Sequence, residues 1–170
     1  MLRRTVAVLA TTVGLTGLGL GGCSQPAVLD VDRAESAIGE RLAETYGVEV
    51  DGVACPAEVE VADGGDFRCR ALVGEDTVVV QVTQTDADGT LEVVATRAIL
   101  DTAVVEADIA ATLADRFERD DVAVTCAGPD VRVEEPDATF SCEAVDGDET
   151  EEVTVLVRDV RGALTYTLEG

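Results

Sequence analysis

The chain has 170 residues, with 35 acidic against 12 basic residues and a formal net charge of −23. This charge argues against nucleic-acid binding, which needs a positive surface, and it repels anionic lipid head groups. The chain contains no histidine, and all of its basic residues are arginine. Nucleophile pairs that need histidine and catalytic dyads that need lysine are therefore excluded.

The N-terminus has the order of a secretory signal. A basic start over residues 1–4 is followed by an uncharged apolar run over 5–20, which is too short and too rich in Gly and Thr to span a bilayer comfortably. The Gly-Gly-Cys ending resembles the lipobox of bacterial lipoproteins. The resemblance implies cleavage after Gly22 and a diacylglycerol thioether on Cys23. Two acyl chains hold a protein stably on a membrane, so we expect an exported protein anchored to the outer face of the cytoplasmic membrane.

The rest of the chain is an internal duplication. With Leu29 placed opposite Leu100, the halves align up to Cys55 and Cys126, and they align again after a two-residue insertion in the second half. The matches are apolar positions, cysteines and turn glycines, which together define a fold. We therefore divide the chain into a signal peptide, a lipidated N-terminus with a short tether, and two repeats, over 1–22, 23–28, 29–98 and 99–170.

Each repeat begins with a helical pattern, because apolar residues recur every four positions and form one stripe per helix. The two stripes are Ala34, Ile38, Leu42 and Tyr46, and Val105, Ile109, Leu113 and Phe117. In the first repeat, Asp32 followed by Glu35 predicts a capping box at the start of the helix. Gly47 predicts the end of that helix.

The pattern then changes to alternation of period two, which indicates strands with one buried face. In the first repeat a strand near 48–54 is followed by three more, and 74–76 and 86–89 read as hairpin turns. The second repeat follows the same scheme. We predict an α+β fold of two tandem small domains. Each is one helix packed on a four-stranded antiparallel sheet, in the order α-β-β-β-β.

Four cysteines beyond Cys23 predict one internal disulfide in each repeat. Four cysteines allow three pairings, and the repeat favours Cys55–Cys69 and Cys126–Cys142. A core of this size supplies only ~3–5 kcal/mol and needs a staple, and closing a loop of roughly 15 residues contributes ~3 kcal/mol. Two cysteines per repeat without histidine fall short of a zinc set, so we predict no metal and no cofactor.

The motifs around these cysteines resemble a bacterial family called domain of unknown function 4333. They are Val53-Ala54-Cys55-Pro56, Phe67-Arg68-Cys69 and Gly74 in the first copy, and Val124-Thr125-Cys126, Phe140-Ser141-Cys142 and Gly147 in the second. In the second copy Ala127 replaces the proline, and Pro129 follows two residues later. The resemblance covers residues 27–170 as two copies. It implies a secreted or lipid-anchored envelope protein and carries no activity.

Carboxylate chemistry remains possible in principle, but among so many acids a chance pair carries no information, and we predict that the protein is not an enzyme. The stretch 86–89 has part of a calcium loop, and the acidic run 146–152 is similar. We interpret both as solvated turns and leave calcium binding open. Arg68 and Arg70 flank Cys69 in the first copy only, where they form a binding patch or, as we expect, a cross-strand ion pair with Glu58 or Glu60.

These observations favour a non-catalytic interaction module of the cell envelope. Its partners would be the membrane, through the lipid on Cys23, and another envelope protein. The surface presented would be a sheet face, an exposed edge strand or the acidic cysteine loops. The alternative is an inhibitor-like protein of a secreted hydrolase or protease, on fold-level analogy alone.

Overall fold

The structure, a computed structural model, describes residues 27–86, 88–118 and 121–169, so the predicted signal peptide and Cys23 lie outside it. The first repeat consists of α1 (Val31–Tyr46), β1 (Gly52–Ala54), β2 (Asp66–Val73), β3 (Asp76–Gln84) and β4 (Leu91–Ala95). Its strands form one antiparallel sheet in the order β1-β2-β3-β4.

The second repeat has the same elements and one additional strand pair. Its elements are β5 (Ala98–Asp101), α2 (Thr102–Phe117), β6 (Ala123–Cys126), β7 (Val131–Glu134), β8 (Thr139–Asp146), β9 (Glu149–Val157) and β10 (Leu164–Glu169). Four of these strands form an antiparallel sheet in the order β10-β9-β8-β6, and β5 pairs with β7 in a separate two-stranded sheet. The predicted α+β fold of two tandem units, each a helix on a four-stranded antiparallel sheet, is confirmed, whereas the β5–β7 pair was not predicted.

Helix α1 is capped at both ends. Asp30 caps the helix by accepting a hydrogen bond from the backbone N–H of Arg33 at 3.2 Å. Gly47 ends it in the left-handed conformation, with φ at 69°. The predicted capping box of Asp32 and Glu35 is wrong, because Asp32 lies inside the first turn and the carboxylate of Glu35 binds a different backbone group.

Each helix lays its apolar stripe on one face of its own sheet. The buried helical residues are Ala34, Ile38 and Leu42 in α1, and Val105, Ile109 and Leu113 in α2. Strand β2 alternates between exposed and buried residues along its whole length, and in β3 every second residue is buried. The strand residues with no exposure include Val78, Val80 and Val82 in the first sheet, and Val153, Val155 and Val157 in the second.

The two-stranded sheet of β5 and β7, which we call the ribbon, lies between the repeats and serves both cores. Ile99 and its pairing partner Val133 are buried in the core of the first repeat, while Ala98 and Leu100 are buried in the core of the second. This division follows from strand geometry, because successive side chains point to opposite faces. The short connection expected at 96–101 is therefore a packing element that joins the repeats.

The end of α1 also contacts the second repeat. The hydroxyl of Tyr46 donates a hydrogen bond to the carbonyl oxygen of Val160, at 3.2 Å. The backbone N–H of Ala95 hydrogen-bonds to the same hydroxyl. Burial raises the pKa of Tyr46, and the hydrogen bond from Ala95 opposes that shift. Helix α1, strand β4 and the turn before β10 thus meet at one residue.

We expect Ile99→Ala to lower the free energy of unfolding by about 2–5 kcal/mol, because it opens a cavity between the repeats. Ile99 is 2% exposed, whereas its counterpart in the first repeat, Val28, is 56% exposed. Val28→Ala is therefore the matched control and should change the free energy by less than about 0.5 kcal/mol. Urea unfolding of both variants measures the difference. Equal losses would show that the ribbon does not join the two cores.

Candidate functional site

Both disulfides predicted from the repeat are present in the structure. Cys55, just after β1, is bonded to Cys69 of β2, fourteen residues along the chain. Cys126 of β6 is bonded to Cys142, sixteen residues along the chain and directly opposite it on β8. Each bond ties an outer strand to its neighbour, and Cys23 lies outside the described residues.

A helix carboxylate supports each disulfide. Glu35 of α1 accepts a hydrogen bond from the backbone N–H of Cys55 at 2.8 Å, and Glu106 of α2 accepts one from Cys126 at 2.7 Å. Both N–H groups are partly buried, and a buried donor without a partner is costly. The same contact at the same position in both repeats identifies these glutamates as structural.

The two cysteine loops are held by contacts of their own. In the first loop, the buried side chain of Gln84 accepts from the backbone N–H of Ala62 at 3.2 Å and donates to the carbonyl of Glu60 at 2.9 Å. In the second loop, buried Arg132 lies over the ring of Phe140, 4.3 Å from its centroid. Each loop is thus fixed by an internal contact, while most of the residues in both loops stay exposed.

Asp86, the first acidic residue of the candidate calcium loop, closes the connection between β3 and β4. One oxygen of Asp86 accepts from the backbone N–H groups of Asp88 and Thr90, each at 2.9 Å, and hydrogen bonds from Thr90 lower the pKa of Asp86. Asp159 closes the equivalent turn of the second repeat in the same way. Within the described ranges, no three His, Cys, Asp or Glu side chains are grouped so that they could hold a metal ion.

The exposed arginines of β2 have a different partner from the one expected. Arg68 donates from Nε to Oε1 of Gln81, directly opposite on β3, at 3.1 Å. Arg68 makes this contact instead of the predicted ion pair with Glu58 or Glu60, and the ion pairs of the described residues include none between Arg68 or Arg70 and either glutamate. Arg70 is also exposed on this face.

A groove of about 720 Å³ lies between α1 and β4 in the first repeat, and we call it the α1–β4 groove. Its apolar lining comes from Leu29, Ala34, Ala37, Ile38, Leu91 and Val93. Charged residues that line it are Asp30, Arg33, Glu40, Arg41, Glu44 and Asp88. The groove thus combines an apolar floor with a strongly charged rim.

Strand β4 gives this groove a free sheet edge. Thr96 donates its backbone N–H to Val79 at 3.0 Å, which sets the phase of the β3–β4 ladder. Along an antiparallel strand, the backbone N–H and C=O groups of successive residues point alternately toward and away from the paired strand. Those of Thr96 point toward β3, so those of Leu91, Val93 and Ala95 point away from it. The N–H of Ala95 meets Tyr46, whereas no described strand pairs with the outer edge at Leu91 and Val93.

The same groove is smaller in the second repeat and is bridged by a side-chain contact. Tyr166 occupies the position of Val93, and Asp108 occupies that of Ala37. The hydroxyl of Tyr166 donates to Asp108 at 2.5 Å and joins β10 to α2. Burial and the neighbouring carboxylate raise the pKa of Tyr166. The remaining cavity is about 330 Å³, and Tyr46 of the first repeat also lines it.

Comparison with protein families identifies both repeats. The family described as Domain of unknown function (DUF4333) matches residues 13–89 and again residues 91–162. The chain belongs to this family. The two matches confirm the tandem DUF4333 copies that the cysteine motifs predicted. Among curated proteins and among solved structures, nothing matches the chain.

The chemistry of the DUF4333 domains indicates their compartment. Disulfides form and persist in oxidising surroundings, so the bonds at Cys55–Cys69 and Cys126–Cys142 indicate an environment outside the cytoplasm. Neither helix in the described part of the chain has the length and hydropathy needed to cross a bilayer.

Sequence reasoning identified residues of the groove without identifying the groove. Ile38 belongs to the predicted helical stripe and Val93 to a predicted alternating strand, and both were assigned to the core. The available signal was the difference between the two DUF4333 copies, in which Ala37 is replaced by Asp108 and Val93 by Tyr166. A complementary pair of this kind, one residue on the helix and one on the edge strand, indicates a contact that only one copy makes.

We expect Glu35→Ala to lower the free energy of unfolding by about 1–3 kcal/mol, because the backbone N–H of Cys55 loses its acceptor. Glu35→Gln keeps an acceptor oxygen and is the matched control, with a smaller loss. Thermal or urea unfolding of the oxidised protein measures both variants. Equal losses for the two variants would mean that the contact matters through charge rather than through the hydrogen bond.

Proposed function

We propose that the protein is a lipid-anchored, non-catalytic interaction module at the outer face of the cytoplasmic membrane. Its first DUF4333 domain binds an extended segment of another cell-envelope protein. One observation carries this proposal: the α1–β4 groove is unobstructed beside a free strand edge in the first domain, whereas a contact between Tyr166 and Asp108 bridges its smaller counterpart in the second.

The binding mode is the addition of a strand to β4. Backbone groups of the bound segment pair with those of Leu91 and Val93, and its alternate side chains enter the groove. Ala37 and Ile38 on the helix side favour small or aliphatic side chains at those positions. Main-chain hydrogen bonds provide affinity, and the groove selects the sequence.

The charges around the groove support a peptide rather than a polyanion. Arg33 and Arg41 line it together with four carboxylates, those of Asp30, Glu40, Glu44 and Asp88. Such a mixed rim complements charged groups of both signs on a segment and fixes its direction. The net charge of −23 repels nucleic acids and acidic polymers over longer distances.

The anchor places the groove close to the membrane. Leu29 lines the groove and follows the proposed lipid attachment site, Cys23, by six residues. An extended chain spans at most ~3.6 Å per residue, so this side of the groove stays within about 22 Å of the lipidated residue. The proposed partner is therefore held at the same membrane or emerges from it.

We expect the double substitution Ala37→Asp with Val93→Tyr to abolish partner binding. It transfers the bridging pair of the second domain into the first, where the tyrosine side chain extends across the groove from β4 to α1. The reverse exchange, Asp108→Ala with Tyr166→Val, is the matched control and should leave binding intact. Photo-crosslinking from position Thr90 in intact cells, followed by mass spectrometry, measures capture of the partner. Undiminished capture by the first variant would exclude the groove as the binding site.

We expect Cys23→Ala to release the protein from the membrane fraction into the medium. Intact-mass measurement of the unsubstituted protein should show loss of residues 1–22, a lipid adduct on Cys23, and four hydrogens missing from the other four cysteines. A protein that stays with the membrane after Cys23→Ala, or that lacks an adduct on Cys23, would contradict the lipid anchor.

A further inference from the structure

The contact between the two DUF4333 domains is one-sided. The second domain contributes its ribbon, with Ile99 and Val133 on one face, and the first domain contributes the end of its own helix and sheet. We call the receiving surface the end face. In the first domain it is formed by Tyr46, Val73, Val78 and Ala95, which belong to or pack against the same cluster as Ile99 and Val133.

Among the described residues, this contact uses one surface of each domain and leaves the matching surface of the other domain without a partner domain. In the first domain the matching surface is the bridge between Val28 and Glu60, which takes the place of the pair Ile99 and Val133 and which we call the first ribbon. In the second domain the matching surface is its end face. Val28 is 56% exposed and Phe117, the counterpart of Tyr46, is 48% exposed. Both exposed apolar side chains thus lie on surfaces that match the two sides of the internal contact.

The end face of the second domain differs from that of the first in charge. Asp146 replaces Val73, and Glu151 replaces Val78. These carboxylates surround an apolar cavity, lined also by Phe117 and Leu168, the counterparts of Tyr46 and Ala95. The ring of Phe117 already has the guanidinium of a neighbouring arginine 5.7 Å from its centroid, so this surface is compatible with a cation beside its aromatic side chain.

The charges also decide which ribbon fits. Val133 belongs to the same apolar cluster as Val78, whose counterpart is Glu151, so a ribbon seated here in the manner of the internal contact brings the residue at the Val133 position to the cavity that Glu151 lines. The chain's own first ribbon has Glu60 at that position, and like charges at an interface disfavour association. The end face therefore selects against a second copy of this chain.

We propose that the end face of the second domain docks the ribbon of a different protein with the same kind of domain. That ribbon has an apolar residue at the Ile99 position and a lysine or arginine at the Val133 position. This surface is separate from the α1–β4 groove, so the inference stands independently of the proposed function.

The test gives the first ribbon of this chain the charge that the proposed partner would have, so that one copy can dock on the end face of another. The probe is the exported full chain carrying Cys23→Ala, so that lipid-driven association does not contribute, and sedimentation velocity measures its size at concentrations up to about 100 μM, which reports micromolar affinities. The parent protein should remain a monomer. Adding Glu60→Lys should produce head-to-tail oligomers that dissociate as salt is raised.

Two controls locate the contact. Glu92→Lys makes the same change of charge on the outer face of the first sheet and should leave the protein monomeric. Phe117→Asp, added to Glu60→Lys, should abolish the oligomers. A monomeric Glu60→Lys variant, oligomers that survive Phe117→Asp, equal association of Glu92→Lys, or self-association of the parent would each overturn the proposal.

Discussion

The alternation of side chains along one short ribbon is the constraint on which the rest of the architecture depends. Ile99 completes the core of the first domain because its neighbours Ala98 and Leu100 point the other way, into the second. Domains of this size have little core of their own. The first therefore relies on side chains supplied by the second, and in each domain a disulfide ties an outer strand to its neighbour.

Much of this fold could be predicted from the sequence, because burial alone determines the stripes of the helices and the alternation of the strands. The start of α1 could not be predicted correctly. Asp30 and Asp32 are the same residue type at nearly the same place, and what decides between them includes the contact of Glu35 with Cys55, which is distant in the chain. The ribbon could not be predicted for a related reason. The four residues of β5 are too few to show the alternation of a strand, and their side chains pack in the cores of both domains.

The candidate site escaped prediction for a different reason. An alignment of the two repeats draws attention to the residues that they share. These are apolar positions, cysteines and turn glycines, which determine the fold. The groove and the end face are defined by what the copies do not share, namely the residues opposite Asp108, Tyr166 and Glu151. Each of these exchanges is compatible with the fold, so no pattern of hydropathy identifies it. Its meaning becomes visible only when the structure places the helix residue beside the strand residue.

Tyr46 has a consequence for any strand that adds to the first sheet. Its hydroxyl receives the N–H of Ala95, the next outward-facing group after Leu91 and Val93. The open edge therefore has a fixed stop at one end and the turn closed by Asp86 at the other. In the proposed strand addition, a shift of one residue would turn the side chains of the segment to the wrong face. Tyr46 would limit how much of the edge is open to pairing, and so how long the paired part of the segment can be.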